Sequence, residues 1–124
     1  MKNPALYNIL TLAHVGDAVF ALKVRTRFAL CGDLKSGAVH AASSKKYLSA
    51  KAQAAIFDEL SPLLNEVEAE IARRAKNAKT VNTAKNATAE EYHKATAIEA
   101  VMGYLHLSGQ NERLNELFNL ILVD

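Results

Sequence analysis

The sequence predicts an all-α fold, and three features lead there. Ala, Leu, Glu and Lys dominate, five Gly and two Pro are few for 124 residues, and apolar side chains recur at helical spacing along most of the chain. Half of the residues are hydrophobic, enough for one domain with a real core, and the length is too short for two ordinary ones. No internal repeat or low-complexity tract marks a boundary.

The first helix is expected to open at Asn3 as N-cap, with Pro4 where a missing N–H costs nothing, and to run to about Leu30 before Gly32. Its apolar residues, among them Leu6, Leu10, Leu12, Phe20, Leu22 and Val24, cover most of its circumference. It therefore reads as the core helix, wrapped by the others. A second helical stretch spans about Lys35 to Leu60, interrupted near Ser43 and Ser44, whose hydroxyls compete for backbone hydrogen bonds. Ser61 and Pro62 open another helix that carries Leu63, Leu64, Val67 and Ile71 inward and fades between Arg74 and Ala78. From Asn77 to Ala87 the periodicity is lost, which reads as an exposed loop. Thr88 and Glu91 form a capping box, and the helix they start carries Ile98, Val101, Met102 and Leu105 to a stop at Gly109. A last helix covers about Asn111 to Leu122. Tyr47, Phe57, Tyr104 and Phe118 fall at packing positions.

Fifteen Lys and Arg against thirteen Asp and Glu leave a net charge of +2, so any nucleic-acid partner must be argued from local clustering. The single Cys31 cannot pair within the chain, which suits a reducing, cytoplasmic setting. The start of the chain lacks a signal-peptide pattern and no apolar run is long enough to span a bilayer, so a soluble protein is expected. A Gly-rich phosphate loop, a nucleophile elbow and a Rossmann fingerprint are all missing, which argues against ATP hydrolysis and hydride transfer. His14, His40, His93 and His106 show no zinc spacing.

Two acids sit where a plain core would not place them. Asp17 lies mid-way along the first apolar helix beside Gly16, a position where glycine costs roughly 1 kcal/mol against alanine and marks a close backbone approach. Glu99 lies among apolar residues with Gly103 one turn later. Two acids and two glycines suggest one helix crossing. Acids converging there could hold a divalent cation, Mg²⁺ being the natural choice because it takes one or two carboxylates and completes its shell with water and phosphate oxygens. The alternative is that each acid pairs with a neighbouring cation, for example His14 one turn before Asp17.

The second cluster is Arg73-Arg74-Ala75-Lys76-Asn77-Ala78-Lys79, continuing to Lys85 with no acid between Arg73 and Ala89. Such a run suits a phosphate backbone, whose neutralisation releases counterions. Equally, cations at a helix C-terminus favour the macrodipole, and a charged loop stays solvated.

Leu12-Ala13-His14-Val15-Gly16-Asp17-Ala18-Val19-Phe20 resembles the signature segment of the ribonuclease III catalytic domain, and Glu99-Ala100-Val101-Met102-Gly103-Tyr104-Leu105 resembles its second acidic helix. Tyr47-Leu48-Ser49-Ala50-Lys51-Ala52-Gln53-Ala54 and the Arg73 to Lys79 run are similar to the Mini-ribonuclease III branch, so the resemblance covers nearly the whole chain. It implies the ribonuclease III endonuclease fold over residues 1–124, as a helical homodimer, with no separate double-stranded RNA-binding domain. It further implies a Mg²⁺-dependent endoribonuclease, with Mn²⁺ able to substitute, that cuts double-stranded RNA and leaves 5′-phosphate and 3′-hydroxyl ends. The implied substrate is the large-subunit (23S) ribosomal RNA precursor, with a ribosomal-protein helper as a further partner. By the same resemblance Asp17 and Glu99 are the catalytic and metal-binding acids. Longer members of the family carry two more, and those positions are Leu10 and Thr96 here. With no second domain to grip RNA, Arg73, Arg74, Lys76, Asn77, Lys79 and Lys85 are the expected RNA contacts. The competing expectation is a catalytically inactive RNA-binding or ribosome-associated helical module, against which the retention of both acids argues.

Overall fold

A computed structural model describes residues 3–31, 47–78 and 87–122. Among them lie helices α1 (Ile9–Cys31), α2 (Ala50–Leu60), α3 (Glu66–Lys76), α4 (Ala89–Leu107) and α5 (Asn111–Ile121), with 3-10 turns at Pro4–Leu6 and Ser61–Leu63. No strand occurs among the described residues. The all-α expectation is met.

Capping chemistry sets the helix starts, and it moves two of them from where the sequence was read. Asn3 does cap Pro4–Leu6, its side chain accepting from the Ala5 N–H at 3.1 Å, but Tyr7 then turns extended (φ −68°, ψ 157°). Asn8 begins afresh, accepting from Leu10 N–H at 2.9 Å and Thr11 N–H at 3.4 Å. Two strong caps five residues apart close the first turn before a helix can propagate through it. Likewise Ser61–Leu63 is only a 3-10 turn, and Leu64 leaves it extended. The true start is Asn65, whose side chain accepts from Glu68 N–H at 2.9 Å while Glu68 accepts from Asn65 N–H at 3.1 Å. This reciprocal box satisfies two orphan donors and outcompetes Ser61-Pro62. As a result Leu63 and Val67, expected in the core, are exposed. The interruption expected at Ser43 and Ser44 and most of the Asn77 to Ala87 loop lie outside the described residues.

The Thr88–Glu91 box forms as read, with both hydrogen bonds at 3.0 Å. At the other end of α4, Gly109 takes φ +71°, so that its N–H reaches His106 O at 3.1 Å and the Gln110 N–H reaches Leu105 O at 2.9 Å. That pair of bonds needs a left-handed residue between them, which glycine supplies without a Cβ penalty.

The central helix is α4, not α1 as the sequence suggested. It packs against α1, α2, α3, α5 and the first 3-10 turn, and residues 95–98 and 100–103 are buried. Ala95, Ala97, Ala100 and Gly103 are small enough to let neighbours close in on all sides. α1 buries one side through Leu12, Phe20 and Val24, and leaves Leu10 (39 % exposed) and Leu22 (65 %) facing outward. Tyr47, Phe57 and Phe118 are buried as expected, Phe118 edge-on to Phe20 at 5.1 Å. Among the described residues no helix is long and apolar enough to cross a membrane.

Candidate active site

The glycine reading of the two acidic segments holds. A Cβ placed on Gly16 would overlap the Glu99 carbonyl oxygen and come within 2.5 Å of its carbon and 3.0 Å of the Glu99 Cα. A Cβ on Gly103 would overlap the Leu12 carbonyl oxygen and lie 2.9 Å from its carbon and 3.0 Å from Gly16 N. Backbone meets backbone on both sides, so only glycine permits α1 and α4 to cross at this separation.

Asp17 and Glu99 flank that contact, and their side chains come within hydrogen-bonding reach of one another. Asp17 is exposed and Glu99 is partly buried. Burial, then the hydrogen bond and the charge of Asp17, push the Glu99 carboxyl up from an ordinary 4.5 to about 9. At neutral pH the pair therefore holds a proton, as two close carboxyls do when nothing positive lies between them. Among the described residues neither acid forms an ion pair with Lys, Arg or His, so the alternative of a private cation such as His14 is not what the fold builds. No cluster of three or more His, Cys, Asp or Glu exists among the described residues either. Thr96, one turn before Glu99, is buried and donates its hydroxyl to Tyr92 O at 2.9 Å, which leaves no anionic ligand at that position.

A third buried acid shows what the structural alternative looks like. Glu68 is fully buried, and Arg113 on α5 grips both its oxygens, Nε to Oε2 at 3.0 Å and Nη2 to Oε1 at 2.8 Å. Burial pushes the Glu68 carboxyl up, but the bonds from Arg113 and the Asn65 backbone outweigh it and hold the group below its ordinary value. Arg113 also donates to Leu63 O at 2.7 Å and pairs with Glu116. The sequence reading passed over this clamp. Asn65-x-x-Glu68 is a visible capping signature, whereas nothing in the spacing links Glu68 to a residue 45 positions away.

The basic cluster divides by role. Arg73 is exposed and pairs with Glu70, Nε to Oε2 at 2.9 Å and Nη2 to Oε1 at 2.6 Å. Lys76 lies 5.5 Å from the Phe57 ring centroid, and Asn77 closes the helix. Arg74 turns inward instead, donating to Ala5 O at 2.8 Å and Tyr7 O at 3.3 Å. Lys79 and Lys85 lie outside the described residues.

Comparison with known proteins agrees with this geometry. The Ribonuclease III domain family matches residues 10–110, a span that includes both acids and both crossing glycines. A Mini-ribonuclease 3 from Brevibacillus brevis is 43 % identical over 116 residues, covering 94 % of this chain and 86 % of the relative. One from Staphylococcus aureus is 43 % identical over 119 residues, covering 94 % and 88 %. The crystal structure of a protein from Fusobacterium nucleatum superposes with a TM-score of 0.89 at 29 % identity, covering 98 % of both chains. The chain thus belongs to the ribonuclease III family, within its Mini-ribonuclease 3 branch, and is an endoribonuclease.

Proposed function

We propose that this endoribonuclease cuts double-stranded RNA with Mg²⁺, or Mn²⁺ in its place, held by Asp17 and Glu99. The observation that carries the reading is the meeting of these two carboxyls at the α1–α4 crossing without a cation among the described residues to neutralise them. A sparse set of hard oxygen ligands, one of them open to solvent, fits an ion that keeps several waters and shares phosphate oxygens. When bound, the ion supplies charge stabilisation at the phosphate and a water of lowered pKa.

The chain's own residues do the rest. Glu99 would hold the ion as a carboxylate, once it gives up the proton that burial and Asp17 keep on it. Exposed Asp17 presents its oxygens toward substrate, while Gly16 and Gly103 fix the spacing of the two helices. Arg73, Lys76, Asn77, Lys79 and Lys85 grip phosphates, and an A-form duplex offers them its shape and backbone rather than its base edges. Water attacks phosphorus and loses a proton as the bond from phosphorus to the 3′ oxygen breaks, that oxygen gains a proton as it leaves, and the products carry a 5′-phosphate and a 3′-hydroxyl.

Kinship with the Mini-ribonuclease 3 branch supports the large-subunit (23S) ribosomal RNA precursor as substrate and the cytoplasm as the place of action. An exposed stripe on α1, Leu10, His14, Ala18 and Leu22 at four-residue spacing, supports a homodimer in which each protomer cuts one strand. The test incubates wild type, Asp17→Asn and Glu99→Gln with a labelled RNA duplex, with and without Mg²⁺. Discrete products should appear only with wild type plus the ion. Cleavage by either variant at the wild-type rate would refute the assignment.

A further inference from the structure

We infer that Arg74 is a positioning residue, which bridges the end of α3 to the entry of α1 and so holds the RNA-gripping cations Arg73 and Lys76 in register with Asp17 and Glu99. The inference rests on the duplex-RNA reading above.

Of the cations on α3, Arg74 alone is turned onto main-chain carbonyls. Arg73 beside it stays exposed on Glu70, whereas the Arg74 guanidinium is half-buried and spans Ala5 O and Tyr7 O. Both carbonyls belong to the segment that leads into α1, at the 3-10 turn and at the extended residue before the Asn8 cap. Charge-assisted bonds of this kind are about twice as strong as neutral ones, and a planar fork holds two carbonyls in a fixed geometry that a rotating ammonium does not impose. On one side of the bridge α1 leads to Asp17. On the other, α3 carries the exposed cations Arg73 and Lys76. A duplex held by these two cations is thereby presented to the acids at a fixed offset, and this offset selects the phosphodiester that is cut.

The experiment compares Arg74→Gln and Arg74→Lys with Arg73→Gln in the full chain. Affinity and its salt dependence are measured on a duplex with Ca²⁺ replacing Mg²⁺, cleavage as a single turnover at saturating RNA, and the cut positions by end mapping. Arg74→Gln should keep the wild-type salt slope, cleave about 10-fold slower or worse at saturation, and scatter its cuts over neighbouring positions. Arg74→Lys should fall between it and wild type, and it carries the comparison alone if the glutamine variant does not fold. Arg73→Gln should instead weaken binding, lower the salt slope by about 1 and cut at the wild-type position. An Arg74 variant that behaves like Arg73→Gln would overturn the inference, as would one that merely loses active protein while cutting sharply. Failure of wild type to cut any duplex would overturn the nuclease reading itself, and this inference with it.

Discussion

Glu99→Gln should make the protein inactive and, above mildly acidic pH, more stable. The Glu99 carboxyl rises from 4.5 to about 9 on folding, because burial and Asp17 both penalise its charge. Between those values the folded chain holds a proton that the unfolded chain releases, so stability falls as pH rises through that window. Each unit costs at most about 1.4 kcal/mol, so from about pH 5.5 to 8 the ceiling is roughly 3.4 kcal/mol. Glu99 keeps some solvent access, which brings the expected loss to about 1–2 kcal/mol. Glutamine cannot ionise, and its amide can still donate to Asp17. The assay is urea denaturation of both proteins across that pH range in EDTA, read by circular dichroism. Plotting the difference between them cancels every histidine they share. The gap should widen with pH by about 1–2 kcal/mol, and saturating Mg²⁺ should shrink it by holding Glu99 ionised in the folded state. Parallel curves in EDTA would refute the argument, since they would mean that Glu99 titrates alike folded and unfolded.

Gly16→Ala places a methyl within 2.5 Å of the Glu99 carbonyl carbon, with main chain rather than a yielding side chain in its way. It should cost about 3 kcal/mol in thermal melts and abolish cleavage even at temperatures where the variant is folded. Arg113→Ala strands fully buried Glu68 and should cost about 3 kcal/mol at neutral pH. Because Glu68 is held below its ordinary 4.5, this contribution is present above that pH and lost as pH falls below it, so the two proteins should converge in acid denaturation profiles. Removing charge at Arg73 and Lys79 together should lower the salt slope of duplex binding by about 2 in filter-binding titrations, with the saturated cleavage rate retained.

Much of this was legible in the sequence where one local rule decided the outcome. Thr88 with Glu91 and Gly109 bounded α4 as read, because a capping box and a left-handed glycine act within a few residues. The crossing was legible for a similar reason: a mid-helix glycine beside an acid, found twice, has few explanations other than a close approach. Reading failed where two local signals competed. Asn3 and Asn8 both cap, Asn65 caps where Ser61 makes no capping bond, and only the full set of hydrogen bonds shows which one starts the long helix. It failed again where long-range packing assigns the role. An apolar helix such as α1 does not announce that α4 will occupy the centre, and Arg74 does not announce that its acceptors lie 67 and 69 residues away.

The glycine contact has a mechanical consequence. Two stiff rods pinned where they touch behave as a scissor joint, and rotation about the pin sweeps their far ends while displacing little beside it. Gly16 adjoins Asp17, and the Glu99 peptide is itself the surface against which Gly16 rests, so both acids sit at the fulcrum. Thermal bending of the bundle is spent at the tips of α1 and α4, and the gap between the two carboxyls stays nearly constant.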